Sequence, residues 1–363
     1  MTGAASSAAY AQNSADIERC RGIPEAAARL ACYDAATATQ PRPSAPPETV
    51  GASGAPAAVP AAGSPADDAS RAQPVSERTE PGSQLVATGT LEGGQSLIAQ
   101  RWELEDRYKA GTFRFTFYRP NFILPITWSD EVNQTPHSPT QPQFDPPGDL
   151  DKTEAEFQIS FKMKLWEDMF GSESALWMGY TQKSFWQVYN DEMSRPFRET
   201  NYEPELIWTL PTNYDILGLS GRLFALGVVH QSNGRSDPLS RSWNRIYGMV
   251  ALERGPFVMQ IKPWYRISED DHEDDNPDIE DYMGRAEFLL FYKWAPQITT
   301  ALRLRTTFKS DPAWGSAQLD VRFPITHDLR GYIQAFSGYG ESMIDYNFRK
   351  TSIGIGVSIG TWY

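Results

Sequence analysis

A histidine, a serine hydroxyl and an amide brought together can make a nucleophile, and one stretch of this 363-residue chain supplies all three. It reads His230-Gln231-Ser232-Asn233-Gly234-Arg235-Ser236-Asp237-Pro238-Leu239-Ser240-Arg241-Ser242-Trp243-Asn244. On an extended strand, residues two apart share a face, with Cα atoms about 6–7 Å apart. At that distance the His230 imidazole can take the proton of the Ser232 hydroxyl. Asn244, on the next strand, can return to the far side of His230. Its amide oxygen there would fix the imidazole tautomer and hold the ring as a triad aspartate does, but without a charge. The bland alternative is a polar hairpin loop whose His and Ser are merely hydrogen-bonded. The other histidines, His137, His272 and His327, stand in no comparable setting.

The elements that must position these residues are strands. Phe157, Ile159, Phe161, Met163 and Leu165 interleave with Gln158, Ser160, Lys162 and Lys164. Leu302, Leu304 and Phe308 alternate with Arg303, Arg305, Thr307 and Lys309, and Ala317, Leu319, Val321, Phe323 and Ile325 with Gln318, Asp320 and Arg322. A period of two places each set on one face of a strand. Twelve such segments are expected, near 113–126, 154–165, 174–188, 198–211, 222–233, 241–254, 257–267, 282–294, 297–309, 315–325, 329–339 and 349–363. No apolar run is long enough for a transmembrane helix, which needs about 20 residues. A transmembrane strand needs only about 10 alternating residues, and an even strand number suits a single-chain bacterial barrel. Trp (11), Tyr (16) and Phe (18) are numerous enough for aromatic girdles, though a soluble β-sandwich would match that count. The C-terminus, RKTSIGIGVSIGTWY, sets Ile353, Ile355, Val357, Ile359 and Tyr363 in one register. A last amphipathic strand ending on an aromatic residue resembles the signature of bacterial outer-membrane barrels. The expected fold is therefore all-β, a twelve-stranded antiparallel transmembrane β-barrel.

Register then bears on chemistry. Phe224, Leu226, Val228, His230 and Ser232 share one side of their strand, and the smaller set Leu223, Ala225, Gly227, Val229 and Gln231 takes the other. Asn244 shares a face with Ile246, Val250 and Leu252, while Arg245 points the opposite way. All three candidates fall on the bulky apolar face, which in a barrel meets lipid. A triad on an outer wall makes sense when the substrate is the lipid itself.

The net charge of −13 argues against a nucleic-acid partner. Acid is concentrated from Glu269 to Asp281, where nine of thirteen residues are Asp or Glu: a solvated loop, or a surface that attracts divalent cations. The N-terminal part has another character. Ala9-Tyr10-Ala11 before Gln12 fits the small-residue cleavage pattern of an export signal, so 1–11 read as the tail of a truncated signal peptide. Residues 12–35 hold a short helical pattern with Cys20 and Cys32, which a periplasmic disulfide would suit. Residues 36–85 are rich in Ala, Pro, Ser and Gly, with nine prolines from Pro41 to Pro81, and are expected to be a disordered linker. From residue 86 to 363 the chain reads as one β domain.

The segment HQSNGRSDPLSRSWN closely resembles the active-site segment of the bacterial outer-membrane phospholipase A family. Further matches follow in order: YTQKSFWQ at 180–187, PFRETNYEPEL at 196–206, KPWY at 262–265, DDNPDI at 274–279 and SGYGESMIDYNF at 337–348. The likeness covers about 110 to 363 and leaves 1–85 as an added periplasmic extension. It implies a calcium-dependent phospholipase A of the outer membrane that cleaves sn-1 and sn-2 acyl esters and lysophospholipids. Ser232 would be the nucleophile, His230 the base and Asn244 its orienter, with backbone amides near Ser232 and Gly234 facing the oxyanion. It also implies a homodimer with Ca2+ at the interface, held by the Arg235 carbonyl, the Ser240 hydroxyl and Ser194 of the other subunit. Hard oxygen ligands of this kind suit calcium. Asp275 matches a position of a second calcium site, in a loop longer and more acidic than the family's. Gln182 matches a polar residue of the dimer interface, although it would face the interior in the opposite register. The competing readings are a non-enzymatic outer-membrane pore or structural barrel, and a soluble esterase, which would lack its Gly-x-Ser-x-Gly elbow here.

Overall fold

The computed structural model describes Ile23, Ala28, Cys32 and residues 95–270, 274–309, 314–326 and 329–360. The chain divides into two units, Met1–Thr79 and Glu80–Tyr363. In the first, Ala28 and Cys32 are helical and Cys32 is disulfide-bonded. The expected signal remnant, the Ala/Pro-rich linker and Cys20 lie outside the described residues. All that follows concerns the second unit.

The period-two stretches become thirteen strand segments: β1 (Phe115–Phe117), β2 (Asn121–Ser129), β3 (Thr153–Trp166), β4 (Ala175–Trp186), β5 (Phe197–Ile216), β6 (Leu219–Ser232), β7 (Ser242–Arg254), β8 (Phe257–Ile267), β9 (Ala286–Ala295), β10 (Ile298–Thr306), β11 (Gly315–Pro324), β12 (Arg330–Tyr339) and β13 (Arg349–Ile359). Each is antiparallel to its neighbours, β13 pairs β2, and β3 pairs β4, so the sheet closes on itself. β1 and β2 both pair β3 and form one interrupted stave, which makes a twelve-stranded barrel. The interruption is Tyr118-Arg119-Pro120. Pro120 has no N–H for the ladder, and Arg119 turns to Glu203 (2.5 Å) and Glu205 (3.2 Å). One expected boundary is corrected. Residues 279–283 form the short helix α2 (Ile279–Met283), and the strand starts at Ala286, not 282. Ile279 and Met283 are buried, and Gly284 at φ +87° ends the helix.

Short turns join the strands at one end and long loops at the other, and β6, β7 and β8 carry the site between them. Outward positions form an exposed aliphatic band that includes Ile159, Leu206, Leu226, Val228, Ile246, Leu319, Ile353 and Ile355. Trp166, Tyr214, Tyr292 and Trp294 bracket it at the turn end, and Trp128, Phe197 and Tyr265 at the loop end. Two aromatic girdles around an aliphatic belt are the lipid contact of a transmembrane barrel. Leu252 departs from the pattern and is buried, beside a register shift between Gly221 and Leu223.

The interior is polar and filled. Arg198 bonds Glu154 (2.8 Å) and Asp345 (2.7 Å), Lys183 bonds Glu156 (2.9 Å), and Tyr247 donates to Glu205 (2.6 Å). A short helix, α1 (Leu97–Trp102), enters the turn end; it is capped by Ser96 and buries Leu97, Ile98 and Trp102. Ile98 N donates to Glu253 (3.1 Å), and the Lys162 ammonium donates to the Arg101 carbonyl (2.5 Å) and lies 3.8 Å over the Trp102 ring. Buried charges persist only when they find partners, and Arg198, Glu154, Asp345, Lys183 and Glu156 find theirs in one another. An interior cavity lined by Arg119, Glu203, Arg303, Arg305 and Gln334 holds about 70 Å³, room for water among the charges.

Candidate active site

The register of β6 on β7 is set by Gly227, which pairs with Tyr247; a Cβ at Gly227 would stand 2.2 Å from the Tyr247 ring. Continuing that register toward the loops pairs His230 with Asn244 and Ser232 with Ser242. His230 and Asn244 side chains face outward, and His230 Nδ1 lies 2.8 Å from Asn244 Oδ1. The amide oxygen accepts, so Nδ1 carries the proton and Nε2 keeps a lone pair. Ser232 follows on the same outward face. Among the described residues no hydrogen bond joins its hydroxyl to His230. Leu226, Val228 and Ile246, all exposed, surround the pair with an apolar wall.

The inward residues of the same stretch are structural. Asn233 is buried and staples the β6–β7 loop: its Oδ1 accepts from Arg241 N (3.0 Å) and Arg235 N (3.3 Å), and its Nδ2 donates to the Leu239 carbonyl (2.7 Å). Arg241, fully buried, donates to the carbonyls of Pro238 (3.1 Å) and Ser240 (2.6 Å). Asn276 clamps the β8–β9 loop to β7 through both Ser242 backbone groups, each at 2.9 Å. Gly234 sits at φ +63°, where a side chain is strained, and its N–H takes no partner among the described residues.

The residues expected to hold calcium are distributed as follows. The Ser240 hydroxyl donates to Asp275 Oδ2 (2.5 Å), so the first-site and second-site candidates touch. The Gln141 amide bridges Asp275 (2.9 Å) and Asp237 (3.1 Å) beside them. Arg235 sends its guanidinium to the Phe197 carbonyl (3.2 Å). Ser194 is exposed at φ +60° in the β4–β5 loop. The Ser240 hydroxyl and the Asp275 carboxylate beside it are oxygen donors, which fit a hard cation. Gln182 faces outward, not inward: its Oε1 accepts from the Tyr180 hydroxyl (3.0 Å), and its Nε2 lies 3.4 Å from Ser184 Oγ.

Sequence reasoning passed over Glu269. Asn244 Nδ2 donates to its Oε1 at 2.8 Å, so the amide is held from both ends. Burial raises the Glu269 carboxyl above the ordinary value and Asp274 adds to this, while Arg266 and the Asn244 amide oppose it. The signal was there in period two, since Tyr265, Ile267 and Glu269 alternate outward, but the acidic run that begins at Glu269 hid it.

A closed barrel with a polar interior, an aliphatic belt and two aromatic girdles defines a bacterial outer-membrane protein, and here a His–Asn pair stands on its outer wall. The family model described as "Phospholipase A1" matches residues 98–359. The chain is 44% identical over 208 residues to Phospholipase A1 of Escherichia coli K12, covering 57% of this chain and 70% of that protein. It is 35% identical over 348 residues to a putative phospholipase A1 of Neisseria meningitidis, covering 93% and 89%. Among solved structures, the Salmonella typhi outer membrane phospholipase dimer with bound calcium superposes with a TM-score of 0.64 at 36% identity, over 74% of this chain and 98% of that one. The E. coli outer membrane phospholipase A gives 0.62 at 37% identity, over 70% and 95%. The chain belongs to the phospholipase A1 family and is an outer-membrane phospholipase A.

Proposed function

We propose that this enzyme hydrolyses sn-1 and sn-2 acyl esters of phospholipids and lysophospholipids with Ser232, His230 and Asn244, on the wall that faces lipid. The observation that carries the reading is the outward His230–Asn244 bond of 2.8 Å, with Ser232 next on the same face. Lipid diffusing along Leu226, Val228 and Ile246 brings its ester to the pair. His230 Nε2 takes the Ser232 proton as Oγ attacks the ester carbonyl carbon. The imidazolium returns that proton to the departing glycerol oxygen, leaving an acyl-serine. A water, deprotonated by the same nitrogen, releases the fatty acid and restores the hydroxyl. Backbone N–H groups of Ser232 and Gly234 face the developing oxyanion.

Ca2+ would be held by the Arg235 carbonyl, the Ser240 hydroxyl and Ser194 of a second copy, with Asp275 close by through Ser240. Bound there, the ion supplies positive charge to the carbonyl oxygen under attack. The Salmonella typhi relative is a dimer with bound calcium, which supports a homodimer here; we assign its interface to this outer wall, Gln182 included. A polar side chain facing lipid gains from a partner. The filled interior speaks against a passive pore. Ser232→Ala tests the reading: the barrel keeps its heat-modifiable gel mobility, and fatty-acid release from detergent-dispersed phospholipid falls to background. Turnover near wild type in that variant would remove Ser232 as nucleophile.

A further inference from the structure

An amide can turn end for end at little steric cost, and in this site the two orientations are not equivalent. With Oδ1 toward His230, the proton stays on Nδ1 and Nε2 can act as a base. With Nδ2 toward His230, Nδ1 must accept, the proton moves to Nε2, and the ring has no lone pair for Ser232. An aspartate has no such ambiguity; an asparagine needs something to remove it.

We propose that Glu269 is a positioning residue of the catalytic apparatus, which holds the Asn244 amide so that its oxygen is presented to His230. This rests on the Ser232–His230–Asn244 reading. Glu269 Oε1 receives Asn244 Nδ2 at 2.8 Å while Asn244 Oδ1 stands 2.8 Å from His230 Nδ1. An ionised carboxylate only accepts, so it takes the NH2 end and excludes the oxygen. The placement is a consequence of register. Asn244 pairs with Ile267, which faces outward, and Glu269 is the next outward residue of the strand as it runs into its loop. A carboxylate on an apolar outer wall is costly without a donor. Arg266 is not that donor, because it bonds both oxygens of Asp274 at 2.7 Å. Among the described residues the donor to Glu269 is the Asn244 amide. The carboxylate also places a full negative charge one amide away from the imidazole, where it favours the imidazolium formed during attack and polarises the intervening hydrogen bonds. The neutral orienter thus works with a charge behind it.

The test uses the full chain in detergent with calcium, reading kcat and KM for fatty-acid release. Glu269→Ala should lower kcat about tenfold, the size of one charge-assisted hydrogen bond, with KM within about twofold of wild type. In an Asn244→Ala background the same change should have no further effect. A swap gives the sharper result. Asn244→Asp alone sets two carboxylates against each other and should be impaired; adding Glu269→Gln supplies an amide donor to the new carboxylate and should return kcat about tenfold. Gel mobility and calcium-dependent sedimentation identify any variant that is merely misfolded or monomeric. The inference is overturned if Glu269→Ala leaves kcat within about twofold of wild type, if its loss multiplies independently with that of Asn244→Ala, or if the swap gives no recovery. Should Asn244→Ala itself leave kcat unchanged, the triad reading falls, and this inference with it.

Discussion

Asn244→Ala discriminates most finely among the roles assigned to the outer wall. The substitution removes the bond from Nδ2 to Glu269 and the one bond that touches the imidazole, from His230 Nδ1–H to Oδ1, each at 2.8 Å. That bond becomes charge-assisted when the imidazole takes the serine proton. A hydrogen bond to a charged group contributes about 1.5–3 kcal/mol. At about 1.4 kcal/mol per decade of rate, kcat should fall about 10- to 100-fold. KM should hold, because the amide touches the histidine and not the lipid. Where the orienter is an aspartate, its change to asparagine costs about 10⁴-fold through the wrong imidazole tautomer; alanine at Asn244 imposes no wrong tautomer, so the smaller loss is expected. The assay is titrimetric release of fatty acid from mixed micelles at saturating calcium, with Ser232→Ala and His230→Ala beside it. Equal loss in all three variants would refute the ranking of roles. A loss smaller than about threefold would show that the His230–Asn244 bond does not hold the ring during turnover.

Three further outcomes follow from the structure. A chain beginning near residue 86 should insert and hydrolyse lipid, because the barrel closes without any earlier segment; a folded but inactive truncation would assign the extension a regulatory role. Calcium should shift the monomer–dimer equilibrium toward dimer, since an ion bound only by the pair must favour the pair; sedimentation in detergent with calcium against chelator reads this, and a fully active monomer would refute it. Asp345 lies in the β12–β13 loop, where burial would raise its carboxyl but Arg198 and Lys350 outweigh this and hold it at about 2, against an ordinary 3.8. The stability this contributes is present above pH ~4 and is lost as pH falls toward ~2. Asp345→Asn should therefore lower the unfolding free energy measured in urea at neutral pH by on the order of 2 kcal/mol, and the gap should close between pH ~4 and ~2. A gap constant with pH would refute the charge pairing.

Most of the barrel was legible because lipid outside and paired charge inside impose alternation on nearly every strand. Ile159 against Lys162, and Leu319 against Asp320, leave little choice of face. Legibility failed where another force intervened. The break at Tyr118–Pro120 comes from Arg119 reaching Glu203 and Glu205, partners some eighty residues away. The strand before β10 was expected from 282, within the end of helix α2, because Tyr282, Gly284, Ala286 and Phe288 alternate well enough with their neighbours; Ile279 and Met283, buried with Trp243, Met343 and Tyr346, make the helix instead. β5 runs on to Ile216, past the expected end at 211, through a register shift between Pro211 and Tyr214 that no local pattern announces. At the site, the shared outward face of His230, Ser232 and Asn244 was legible from period two. Glu269 was not, because its contact to Asn244 crosses from β8 to β7 and its own neighbours are nearly all acids.

The division between odd and even positions in β6 has a consequence for how this enzyme can change. Even-numbered residues from Phe224 to Ser232 face lipid and include the proposed base and nucleophile; odd-numbered ones from Leu223 to Gln231 lock into the interior. Substitutions on the outer set leave the inner packing untouched, so the catalytic wall can be altered residue by residue. An insertion or deletion of one residue behaves differently. A single residue added between Val228 and His230 would exchange the two faces beyond it, turning His230 and Ser232 toward Trp243 and Arg245 and exposing Gln231 to hydrocarbon. Two residues added at the same point would restore parity, at the cost of the His230–Asn244 pairing. The wall is therefore tolerant of spelling and intolerant of length, and its evolution should proceed almost entirely by replacement.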